Sequence, residues 1–209
     1  MAIITMPYPA LRSVEWDQSG GRPAVQRGTF GAGRSKQLAD FGPAPRWTVS
    51  AEPIPRHSGS AEELAWSAFE AACQVPGNLF RLGACEGSQH AAGSGLPLNA
   101  VVSGAANAGR TLALYGLLPS ARNLLAGQLI TVILPGGDEQ LIRLTAHLDA
   151  DGAGAGTASL ATPLRRTPAA GAAVELANPW ALMRATHSPG WGVSPGAVRT
   201  LRLECEEAF

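Results

Sequence analysis

Apolar and polar residues alternate along several short stretches of this chain. Trp47, Val49 and Ala51 fall on one side of residues 46–52, and Arg46, Thr48, Ser50 and Glu52 fall on the other. That period of two marks a half-buried strand. Pro53 and Pro55 end it, since proline suits an edge or an exit. The pattern then changes. Ser60 and Glu63 form a capping box, after which Leu64, Ala65, Ala68, Phe69 and Ala72 recur at helical spacing, flanked by Trp66 and Cys73. Pro76-Gly77-Asn78 closes this helix, and residues 79–82 read as a following strand, giving β–α–β.

A different unit follows a Gly- and Ala-rich stretch at 83–110. Residues 112–115 and 129–134 read as strands, and Pro135-Gly136-Gly137-Asp138 makes a hairpin turn. Ile142, Leu144, Ala146 and Leu148 then share one face, opposite Arg143, Thr145 and His147. Residues 157–163 and 173–176 add two more strands. Four or five short strands in so little chain predict a small barrel or sandwich. The last strand, 198–205, places Leu201, Leu203 and Cys205 inward and is expected to pair with the Trp47 strand. The chain thus divides into residues 1–95 with 177–209, a discontinuous unit, and 96–176, an insertion. Residues 1–45 show little periodicity. They read as an arm that orders along a neighbouring copy.

Composition fits a strand-rich, mainly β protein with one helix. The 25 glycines and 16 prolines among 209 residues are about a fifth of the chain, against a usual ~12%. Sixteen basic residues balance sixteen acidic ones, so the basic footprint of a nucleic-acid binder is missing. No apolar run approaches a membrane span, and the start lacks a signal-peptide pattern. The expectation is a soluble protein made in the cytoplasm. Cys73, Cys85 and Cys205 form no C-x-x-C pair and read as free thiols.

Candidate chemistry fails on context. Residues 28–35 approach a P-loop, but the motif requires Lys where Arg34 stands, and Gly42-Pro43 interrupts the helix that should follow. Asp149-Ala150-Asp151-Gly152 opens like a calcium loop, yet Ala153 and Leu160 occupy later ligand positions, so an Asx turn is expected. His57, His90, His147 and His187 have no close metal-binding partner in sequence. Glu204, Glu206 and Glu207 read as a solvated or inter-subunit edge. No catalytic residue, cofactor or metal is expected. Trp47 and Trp66 fit core positions, whereas Trp180 and Trp191, in Pro/Gly-rich segments, are the candidate interface or ligand-contact residues.

Several segments resemble distal tail proteins of long-tailed bacteriophages and prophages. They are Ala126-Gly127-Gln128-Leu129-Ile130, Ala150-Asp151-Gly152-Ala153-Gly154, residues 158–165, Pro179-Trp180-Ala181-Leu182-Met183-Arg184 and the ending 204–209. The Trp47 strand followed by the Trp66–Phe69 helix fits the same layout. The likeness covers about three-quarters of the chain and departs at Gln128, where relatives often carry Asp. It implies a β-sandwich-like ring domain with one helix and an inserted small β-barrel. It also implies a homohexameric ring at the virion tail tip, joining the tail tube protein to the hub, tape measure or receptor-binding proteins. Such a protein is structural, is synthesised in the host bacterial cytoplasm and inserts in no membrane. The alternatives are another minor tail or tail-completion protein, or a carbohydrate-binding tail module.

Overall fold

The computed structural model describes residues 2–7, 11–19, 24–26, 37–39, 45–53, 56–57, 59–84, 89, 100–104, 107, 109–186, 198–199 and 203–208. In chain order the first strands are β1 (Ile3–Ile4), β2 (Leu11–Ser19), β3 (Ala24–Gln26), β4 (Gln37–Ala39), β5 (Arg46–Pro53) and β6 (Arg56–His57). Helix α1 (Ala61–Cys73) precedes β7 (Leu79–Gly83). Next come β8 (Val101–Val102), β9 (Thr111–Tyr115), β10 (Arg122–Leu124), β11 (Leu129–Ile133), β12 (Glu139–Arg143), β13 (Leu148–Asp149), β14 (Gly156–Ser159) and β15 (Val174–Glu175). The chain ends through β16 (Trp180–Ala185), β17 (Val198–Arg199) and β18 (Leu203–Glu207).

Six of these strands form one sheet in the order β1-β7-β16-β18-β5-β2. Strand β18 pairs antiparallel with β5, Cys205 opposite Val49, so both ends of the chain build this sheet as the alternation predicted. Trp47, Val49, Ala51, Leu203 and Cys205 are all buried, on the expected side. Part of the supposed arm belongs here too. Strand β2 pairs with β5 along its length, and the Trp16 ring meets Trp47 edge-on at 5.8 Å.

The helix starts where the capping box places it, with the Glu63 N–H donating to Ser60 Oγ at 3.2 Å. The Glu63 carboxylate reaches one residue further back, to the Gly59 N–H. Its buried face differs from the predicted one. Glu63, Trp66, Phe69 and Glu70 are buried, whereas Leu64 is 60% exposed and Ala65 and Ala68 face solvent. Aromatic rings bury far more apolar area than alanines do, so Trp66 and Phe69 set the helix rotation. Phe69 stacks edge-on against Trp66 on one side and Phe80 of β7 on the other, at 5.5 and 5.2 Å.

The central region is built from two three-stranded sheets, β14-β9-β8 and β12-β11-β15, around a shared core that includes Leu112, Leu114, Ile130, Val132, Ile142 and Leu160. The β11–β12 hairpin forms as predicted, with Gly136 and Gly137 taking φ of +91° and +84° in its turn. The expected small β-barrel does not form: no sheet closes into a barrel or curls strongly. Closure needs a continuous, staggered ladder. Here the rims meet only through isolated bridges, Val101↔Ala173 and Leu144↔Leu160. Strand β12 stops at Arg143, and Thr145, Ala146 and His147 are exposed where the alternation predicted continued strand. The sandwich-like reading of the first unit is corrected as well. Its core face is covered by α1 and by Leu129 and Leu141 of the β11–β12 hairpin, not by a second large sheet.

The supposed calcium loop is a turn closed on itself. Asp151 Oδ1 accepts the N–H groups of Ala153 and Ala155, both at 2.9 Å, while Asp149 pairs with Arg122. Gly154 is required there: its φ is +75°, and a Cβ would sit 2.6 Å from the Leu117 carbonyl oxygen.

Candidate interaction surfaces

Two buried polar joints fix the sheets against each other. At the first, Trp47 donates from Nε1 to the Leu141 carbonyl at 2.8 Å. Glu207, wholly buried, accepts the backbone N–H groups of Trp47 and Leu141, each at 3.2 Å, and pairs with Arg165. Arg165 also donates to the Pro45 carbonyl at 3.2 Å. Burial pulls the Arg165 guanidinium below its ordinary pKa, and the hydrogen bond and charge of Glu207 oppose that shift. At the second joint, Gln89 donates to the Leu129 and Leu176 carbonyls and accepts the Leu129 N–H. Neither joint was evident from sequence. The buried glutamate at 207 was instead grouped with an exposed acidic edge.

Trp180 opens β16 and is half-buried. Its backbone is held on both sides by Thr131, whose hydroxyl accepts the Trp180 N–H at 2.8 Å and donates to its carbonyl at 2.6 Å. The indole Nε1 donates to Glu139, which is 3% exposed. Glu139 also grips Arg81, and the Arg81 guanidinium carbon stands 4.9 Å from the centre of the Trp180 ring. The hydrogen bond to Glu139 raises the Arg81 pKa further. One ring face is therefore occupied by a cation. A sugar stacked on that face would have to displace Arg81 and break its bonds to Glu139. Trp191, the other candidate, lies outside the described residues, as do Cys85, His90 and His187.

His147, expected to be solvated, accepts the Ala126 N–H on Nδ1 at 3.0 Å. Among the described residues, no three His, Cys, Asp or Glu side chains are grouped to hold a metal, and no helix is long and apolar enough to cross a membrane. A cleft of about 390 Å3 lies beside the end of α1, lined in part by Glu70, Cys73, Asn78 and Arg184. Burial, helped by Glu70, pushes the Cys73 thiol up to about 11. Burial takes Cys205 to about 12. Neither sulfur is an activated nucleophile at neutral pH.

The outer face of α1 is a different kind of surface. Leu64 and Val75 are 60% and 52% exposed, with exposed Ala61, Ala65, Ala68 and Ala71 between and beside them. The spacing that predicted a core contact therefore describes an apolar stripe open to solvent.

No family model matches the chain, and no curated protein matches it significantly.

Proposed function

We propose that this chain is a structural subunit of a bacteriophage tail tip, assembling with copies of itself into a ring that joins the tail tube to the hub and host-recognition apparatus. The reading rests on the sequence segments that resemble distal tail proteins. The observation in its favour is the exposed apolar stripe on α1. A face patterned for burial yet left open, on a body whose sheets are locked by Glu207 and Gln89, suits a rigid piece that completes its packing against another subunit. A ring needs two different surfaces of one subunit to meet and the rotation to close.

The test is negative-stain imaging with mass measurement of the purified protein, alone and mixed with a cognate tail tube protein. Closed rings of about six copies are expected. Filaments would favour a tube subunit instead. A strict monomer at the highest attainable concentration, unchanged by the tube protein, refutes the ring. A carbohydrate-binding module is less favoured, because Arg81 occupies one face of the Trp180 ring.

A further inference from the structure

We infer that the outward face of the six-stranded sheet is the seat for residues 22–36 of a neighbouring copy. The inference rests on the ring reading and names one of its contacts.

The face is set by strand register. Opposite the core side, Asp17, Thr48, Glu206 and Arg184 lie in one row across four strands, and Glu15, Ser50 and Glu204 lie in the next. These two rows line a shallow groove of about 340 Å3. Arg184 pairs with Glu206. Glu15 and Asp17 are exposed and take part in no ion pair among the described residues. Four carboxylates against one guanidinium leave a net charge of 1 − 4 = −3 on the strip. A polar, acidic sheet face of this kind calls for a cationic partner.

The chain carries such a partner. Residues 22–36 contain Arg22, Arg27, Arg34 and Lys36 and no Asp or Glu, although the whole protein is neutral. Gly28, Gly31 and Gly33 let that stretch follow a flat surface without side-chain clashes. Neighbouring strands are about 4.8 Å apart, so the acidic strip is roughly 15 Å wide, well within the reach of fifteen residues.

The topology favours a neighbour over the same copy. The segment lies in the connection between β2 and β5, and its described parts, β3 and β4, pair with each other in a separate two-stranded sheet. Donor segment and acceptor face are different surfaces. Each copy therefore gives one contact and receives one, as a closing ring requires.

Charge reversal tests this on the full chain. One variant carries Glu15→Lys and Asp17→Lys; a second carries Arg27→Glu and Arg34→Glu. Circular dichroism confirms that both remain folded, and native mass spectrometry reads assembly. Each variant alone is expected to raise the dissociation constant on the order of tenfold or more. Mixing the two is expected to restore assembly, because each face then meets a segment of opposite charge. Added salt is expected to weaken the wild-type ring as the screening length shortens. A wild-type ring indifferent to either reversal overturns this contact and leaves the ring reading standing. Failure of the mixture to recover also overturns it, since only a contact within one copy behaves so. A monomeric wild type overturns both.

Discussion

Replacing Glu207 with Gln tests the joint between the sheets most directly. Glu207 is fully buried, and its two oxygens serve three donors: the Leu141 N–H on Oε1, and the Trp47 N–H and Arg165 on Oε2. The amide keeps one acceptor oxygen and turns the other position into a donor. One backbone N–H is then left facing an N–H group, at about 1–3 kcal/mol. The Arg165 side chain, 8% exposed, also loses the opposite charge that compensates its burial. Breaking a buried pair from one side costs about 3–5 kcal/mol. The two effects share atoms and do not add in full, so the expected destabilisation is about 4 kcal/mol.

Arg165→Met acts differently. The carboxylate keeps both backbone donors, which partly stabilise its charge, and the expected cost falls to about 2–3 kcal/mol. The double variant removes both charges and should be less destabilised than the sum of the singles by more than about 1 kcal/mol. Urea unfolding followed by tryptophan fluorescence and far-UV circular dichroism measures all three, with coincident transitions as the check on a single cooperative step. A Glu207→Gln loss below about 1 kcal/mol, or a larger loss for Arg165→Met, refutes the account of this joint.

Three other outcomes follow from single sites. Ser60→Ala removes the oxygen that accepts the Glu63 N–H and should cost about 1 kcal/mol in the same unfolding assay, with Ser60→Asp close to wild type. Cys73, with its thiol pushed up to about 11, should alkylate on the order of a hundredfold more slowly than a free thiol at pH 8. Its rate should rise about tenfold per pH unit as the thiolate fraction grows below that pKa; rapid labelling at pH 7, read by mass spectrometry, would contradict the burial. Leu64→Glu changes a side chain that is 60% exposed, so it should shift stability by less than about 0.5 kcal/mol while weakening self-assembly. A large loss of stability would mean that Leu64 is packed within its own copy.

What the sequence made legible was whatever rested on local pattern. The β5 alternation, the Ser60 cap, the β11–β12 turn and the Asx turn at Asp151 each depend on neighbours a few residues apart, and each is present. The closing strand β18 was legible because Leu203 and Cys205 repeat the alternation of the strand it joins. Strand β2 was missed although Val14 and Trp16 alternate with Glu15 and Asp17, because the Gly-rich residues that follow masked a nine-residue signal. Barrel closure failed as an expectation because strand count does not encode whether rims meet in register, and Thr145 to His147 break the ladder there. The helix was the instructive case. Leu64, Ala65 and Ala68 satisfy a core pattern as well as Trp66 and Phe69 do, and periodicity cannot choose between two apolar faces about a hundred degrees apart. Buried area chooses: the aromatic pair turns inward, and the second apolar face is left outside. A globular monomer gains nothing from that second face, whereas a subunit that packs against another does. The mismatch between the pattern and the packing is therefore the structural argument for assembly, and the Leu64 substitution bears on it directly.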